Sequence, residues 1–207
     1  DIRFAGQLGY TIKLLGIVKK LEAAGGKRAK CSSVQVSVYP ALVPGAHVLG
    51  SVNGVFNAIL VRGDVVGDTL YYGRGAGQDA TASAVLSDLA DAALDLKSGI
   101  KNRIAPFVPH ERDGAVLPIS EVVCRYYVRL SVVDKPGTLA KITAILGASN
   151  IGISSMIQPE GHEGKSVPLI LMTHDATNSN MSKALAKIGR LAAVKAPPMM
   201  IRVENFE

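Results

Sequence analysis

The 207-residue sequence predicts a mixed α/β chain of the α+β kind, built in two parts of different element order. Three observations carry this expectation. Four β-branched or aromatic runs precede a single long helical pattern; a stretch with three prolines and no sustained period follows; and the remainder alternates strand, helix, strand, strand, helix, strand.

Taken in order, "DIRFAGQLGY" reads as the end of a helix entering a strand. The runs "TIKLLGIVKK", "VQVSVYPALV", "GVFNAILVRG" and "TLYYG" are bounded by Gly, Pro and Asp, as strands are. A helix over Asp79 to Lys97 places Ala82, Val85, Leu86, Leu89, Ala93 and Leu96 on one face, with Asp79 or Thr81 as its cap. Residues 99–122 form the linker between a first domain, 1–98, and a second, 123–207. In the second, "RYYVRLSVV" alternates as a strand and "DKPG" turns, Pro136 presetting φ and Gly137 relieving the backbone. "TLAKITAILGASN" then sets Leu139, Ile142, Ile145 and Leu146 on a helix face. The strands "IGISSMIQ" and "SVPLILMTH" flank the Gly-rich turn "PEGHEGK". A helix with Met181, Leu185 and Ile188 inward and the strand "MMIRVENF" complete βαββαβ, a small sheet with two helices on one face.

Composition narrows the function classes. The chain is 48% hydrophobic, with no uncharged apolar run of membrane-spanning length and no signal-peptide pattern, so a cytoplasmic protein without a membrane partner is expected. The charge of +6 is thinly spread: residues 1–100 hold ten basic and eight acidic side chains, and 101–207 hold thirteen and nine, which argues against nucleic acid. The densest run, "KKLEAAGGKRAKCSS", reads as a solvated hairpin or loop. Cys31 and Cys124 stand far apart without a CxxC partner, and His47, His110, His162 and His174 show no ligand spacing, so no metal site is expected. Because the first residue is Asp1 rather than methionine, the chain is expected to be a piece of something longer.

The stretch "YYGRGAGQDATASAVLSDL" reads strand, glycine loop, helix. Gly73, Gly75 and Gly77 alternate and no βαβ unit follows, so this is not the G-x-G-x-x-G fingerprint; a ligand-approaching loop and an ordinary turn both fit. Asn53-Gly54 favours a turn, while an amide at Asn53 or Asn57 could also orient a ligand. Lys13, Lys19 and Lys20 are read as solvated or interfacial rather than catalytic, and Ser83 lacks a nucleophile elbow.

The segment "VRLSVVDKPGTLAKITAILGASNIGISSMIQ" resembles an ACT domain, a ferredoxin-like module that senses small molecules beside metabolic enzymes. Its marks are strand, D-x-P-G-x-L, helix, then N-I-x-I opening the second strand. "DIRFAGQLGYTIKLLGIVKK" and the segment from "YPALVPG" to "SAVLSDL" resemble the C-terminal part of the catalytic and dimerisation domain of homoserine dehydrogenase. The resemblance implies reversible conversion of L-homoserine to L-aspartate 4-semialdehyde, on the route to threonine and methionine, with NAD or NADP bound mainly by an earlier domain that also holds the catalytic residues. None of those is expected in this chain, so these residues alone should be inactive. It implies that Gly75, Gly77 and Thr81 contact the cofactor near its nicotinamide end, and that Asp134, Gly137, Asn150 and Gly152 form an effector site in a homo-oligomer, dimer or tetramer. Some relatives carry amides where Asp134 and Gly152 stand. Asp134 can accept from an ammonium, and Gly152 offers no side chain, so threonine as effector and a purely dimerising ACT domain both stay open. The alternative to the enzyme is a non-catalytic amino-acid-sensing module.

Overall fold

The computed structural model describes residues 1–21, 33–100, 116–160 and 166–206; Cys31, His110, His162 and most of the expected linker lie outside the described residues. In chain order the elements begin with α1 (Ile2–Gln7), β1 (Tyr10–Leu21), β2 (Ser33–Pro44), β3 (Phe56–Gly63), β4 (Gly67–Arg74) and α2 (Gln78–Ser98). They continue with β5 (Val123–Val133), α3 (Thr138–Ala148), β6 (Ile153–Ile157), β7 (Ser166–Thr173), β8 (Ala176–Thr177), α4 (Asn178–Ile188) and β9 (Met199–Val203). The expected strands and helices are present. Among the described residues no helix is long and apolar enough to cross a membrane.

Compactness cuts the chain into two units: residues 1–46 with 112–207, and residues 47–111. The sheet of the first unit explains that division. Its seven strands run β1-β2-β9-β5-β7-β6, with β8 beside the start of β5. The stretch β9-β5-β7-β6 is the expected ferredoxin-like sheet, and the β1–β2 hairpin extends it through parallel pairing of Ala41 and Leu42 with Arg202 and Val203. Alternation along β5 then supplies two cores. Tyr126, Val128, Leu130 and Val132 point to α3 and α4, where Ile142, Leu146, Met181, Leu185 and Ile188 are buried. The opposite face carries Tyr127, Ile170, Met172 and Val203, covered by Phe4 and Ala5 of α1 together with Leu42 of β2.

A buried carboxylate pins the added hairpin. Glu204, 3% exposed, accepts from Lys19 Nζ and from Tyr39 Oη, both at 2.6 Å, while the Arg202 guanidinium lies 4.4 Å from the Tyr39 ring centre. Lys19 is thus an interfacial lysine, as its place in the strand suggests. Burial pushes the hydroxyl pKa of Tyr39, Tyr126 and Tyr127 above the ordinary 10.0; Glu204 adds to the rise at Tyr39 and the Cys124 thiol to that at Tyr126. Below about pH 10 both folded and unfolded tyrosines keep their protons. Above it the unfolded chain loses them first, so the unfolded state binds fewer protons and stability falls as pH rises, by up to about 1.4 kcal/mol per pH unit for each tyrosine. The urea midpoint is expected to hold level to about pH 9.5 and drop beyond pH 10; a level midpoint through about pH 11 contradicts the assignment.

The second unit holds the β3–β4 hairpin and α2. Gly54 turns the chain into β3 with φ +66°, as Asn53-Gly54 predicts. Phe56 and Tyr72 stack on one face of the hairpin, centroids 4.9 Å apart. None of the residues of α2 is buried: Val85, Leu86, Leu89 and Leu96 of its apolar face are all exposed.

Candidate functional site

The glycine loop joins β4 to α2, and its glycines differ in what they require. Gly77 is the N-cap of α2, so the expected caps Asp79 and Thr81 are corrected: both lie within the helix, Asp79 in its first turn. The reason is conformational. Gly77 adopts φ 125° and ψ 148°, a region open to little but glycine, and it offers α2 no side-chain cap. The first backbone N–H groups of the helix are left for a solvent or ligand acceptor. Beside them Gly77, Gln78, Thr81, Ala82, Val85 and Leu86 form one open, mostly apolar face of α2, on which Gly77 and Thr81 stand one turn apart.

Gly75 has its own constraint. Its φ is not positive, yet a Cβ there would overlap the amide of Asn57. Local spacing in sequence missed this contact, because the hairpin register that sets Asn57 opposite Gly73 brings it about. His47, expected to be structural or exposed, accepts at Nδ1 from Leu49 N–H at 3.3 Å and caps a one-turn helix.

The residues expected to hold an effector fall into two groups at opposite ends of α3, whose 11 residues span about 16 Å. At its start Gly137 adopts φ +83° and caps the helix without a side-chain bond, and Asp134 Oδ1 accepts from Gln158 Nε2 at 3.2 Å. Thr138 Oγ1 donates to Val133 O, fixing the turn. At the far end Asn150 has φ 56° and follows the helix terminus, where Ile151 N–H reaches Leu146 O; a left-handed C-terminal position favours asparagine for its backbone alone. Gly152 accepts at its carbonyl from His174 N–H at 2.9 Å, and a Cβ on it would stand 2.9 Å from the His174 ring. Within one chain, then, Asp134 and Gly137 do not meet Asn150 and Gly152. Sequence reading supplied neither Gln158 nor His174, whose partners come from strand pairing rather than from proximity along the chain.

Comparison with known proteins bears on both units. The homoserine dehydrogenase family profile matches residues 1–90 and the ACT domain profile residues 126–193. The homoserine dehydrogenase of Pseudomonas aeruginosa is 39% identical over 210 aligned residues, covering 100% of this chain and 46% of that protein, and that of Neisseria gonorrhoeae is 37% identical with the same coverage. A crystal structure of a homoserine dehydrogenase from Thiobacillus denitrificans superposes with a TM-score of 0.81 at 40% identity, over 99% of this chain and 45% of that one. The chain thus spans about half the length of the relatives it matches. With both parts matched in the same order, the chain belongs to the homoserine dehydrogenase family and carries an ACT domain.

Proposed function

We propose that these residues serve an NAD(P)-dependent homoserine dehydrogenase that interconverts L-homoserine and L-aspartate 4-semialdehyde in the cytoplasm, contributing a cofactor-contacting loop, subunit contacts and amino-acid regulation. The observation that carries this reading is the match of nearly the whole chain, through both parts, to homoserine dehydrogenases. The site geometry is consistent with it: Gly77 presents a helix start without a side-chain cap beside an exposed apolar face, which suits a ligand with an anionic and a flat apolar portion. A nicotinamide cofactor bound there would supply the hydride acceptor for oxidation of the homoserine alcohol, the hydroxyl proton passing to a base. This chain's part is to hold backbone at Gly75 and Gly77 close to the cofactor and to present Thr81 one turn into α2. The acid–base groups would come from residues outside 1–207. Full-length enzyme should reduce NAD or NADP in the presence of homoserine, followed by absorbance at about 340 nm, and residues 1–207 alone should not. Absence of turnover by the full-length enzyme with both nucleotides, or turnover by residues 1–207, would refute the reading.

For the ACT domain we propose an amino-acid effector, threonine first, held between two copies. Since Asp134 and Gly137 lie at the opposite end of α3 from Asn150 and Gly152, one chain cannot close all four around a molecule of that size. Asp134 would accept from the ammonium, and the start of α3 would donate to the carboxylate. Calorimetric titration of threonine into full-length enzyme should show binding heat, and Gly137→Val should weaken it, because a β-branched residue at φ +83° distorts that turn. No heat at several temperatures, with unchanged activity, would leave the domain as an assembly element.

A further inference from the structure

Two glycines of one loop are glycine for different physical reasons, and the difference singles out a side chain. Gly77 has an unusual backbone and open space: φ is 125° and nothing lies within 4 Å of where a Cβ would stand. Gly75 is the reverse, with no positive φ but a Cβ position filled by another residue. The residue that fills it is Asn57. A Cβ at 75 would overlap Nδ2 and Cγ of Asn57 and lie 3.2 Å from its Cβ.

The hairpin explains how the two meet. Residues alternate across β3, so Phe56 stacks on Tyr72 on one face while Asn57 rises on the other. Asn57 stands opposite Gly73, and beyond the last pair Gly75 N–H donates to Val55 O at 3.3 Å, folding the chain back across the asparagine. The amide of Asn57 then occupies the space that a side chain at 75 would take, two residues before the N-cap of α2.

We infer that Asn57 is what requires glycine at 75: its side chain takes the space a Cβ would need, so a larger residue there displaces the loop from Gly73 to Gly77, and with it the place at which Gly77 presents the start of α2 to the nucleotide. This rests on the cofactor reading above: the backbone at 75 stays close to the cofactor, and it is Asn57 rather than the ligand that leaves no room there for a Cβ. Removing the asparagine side chain makes room for a Cβ at 75, and no ligand-based explanation of Gly75 predicts that.

The test uses full-length enzyme with four changes: Asn57→Gly, Gly75→Ala, the two combined, and Gly77→Val. Dissociation constants for NADPH and NADH are read by fluorescence titration, alongside the KM for homoserine and the melting temperature. Gly75→Ala is expected to raise the nucleotide dissociation constant about tenfold, with the homoserine KM and melting temperature nearly unchanged. Asn57→Gly alone and the combined Asn57→Gly/Gly75→Ala enzyme should both bind within about threefold of wild type, a coupling that independent sites do not show. If the combined enzyme binds nucleotide as weakly as Gly75→Ala, the Cβ itself obstructs the ligand; the inference is then wrong and the cofactor reading stands. Should Gly75→Ala leave affinity unchanged while Gly77→Val weakens it, the inference again fails alone. Unchanged affinity in all four overturns both.

Discussion

Deleting residues 123–207 is expected to leave the remaining chain poorly folded, rather than releasing an unregulated but otherwise intact remainder. The sequence presents the ACT part as separable, since it has its own element order beyond a proline-rich stretch. The sheet does not divide there: β2 takes β9 as its neighbour, and Leu42, Phe4 and Ala5 are covered by Tyr127, Ile170, Met172 and Val203. Each large apolar side chain returned to water costs about 1.5–3 kcal/mol, so uncovering Phe4, Leu42 and Tyr39 approaches the net stability of a domain, about 5–15 kcal/mol. Tyr39 would also lose its bond to Glu204. Thermal melting of residues 1–122 by circular dichroism should show no cooperative transition. A sharp transition near that of residues 1–207 would count against the shared core. Regulation is therefore better probed by substitution at Gly137 than by removing the domain.

Gly77→Val in the full-length enzyme is expected to lose most of its affinity for nucleotide. No atom crowds the site, so the effect arises from the backbone: φ 125° with ψ 148° costs a β-branched residue on the order of 1–3 kcal/mol or forces a different path into α2. Relaxation of that path would move the first N–H groups of the helix, weakening binding by about 10- to 100-fold. Because α2 is exposed along its length in this chain, the melting temperature of residues 1–207 should change little. Titration with NADPH and NADH checks the first expectation and a thermal scan the second. Wild-type affinity in the variant would remove Gly77 from the contact set.

What was legible in the sequence is what short-range pattern encodes. Alternation gave β5, and helical spacing identified Ile142, Leu146, Met181, Leu185 and Ile188 as inward. The Asn53-Gly54 turn and the left-handed Gly137 follow from residue chemistry alone. What was not legible depends on pairing between distant strands. No periodicity in "VQVSVYPALV" or "MMIRVENF" reports that each is the other's neighbour, and Glu204 near the end of the last strand gives no sign of meeting Lys19 and Tyr39. The site divides the same way. The glycine loop was visible as a loop, but the reason for Gly75 lay in Asn57 across a hairpin, and the helix cap was misplaced because Asp79 and Thr81 are good capping types standing just past a glycine whose unusual backbone begins the helix. For the effector residues, the family motif lines up Asp134 and Asn150 along the chain, while the length of α3 keeps them apart.

The bond between Tyr39 and Glu204 joins residues 165 apart in the chain. On a ribosome, the early hairpin emerges long before the strand that completes it, and for that interval the outer edge of β2 has no neighbour to take its backbone hydrogen bonds. Closing so long a loop carries an entropic penalty that must be met before the contact gives anything back, which makes this the slow step in assembling the sheet. An unpaired edge of that kind is where nascent chains associate wrongly, so the demand for chaperones should fall on residues 1–46 until β9 has emerged to pair with β2.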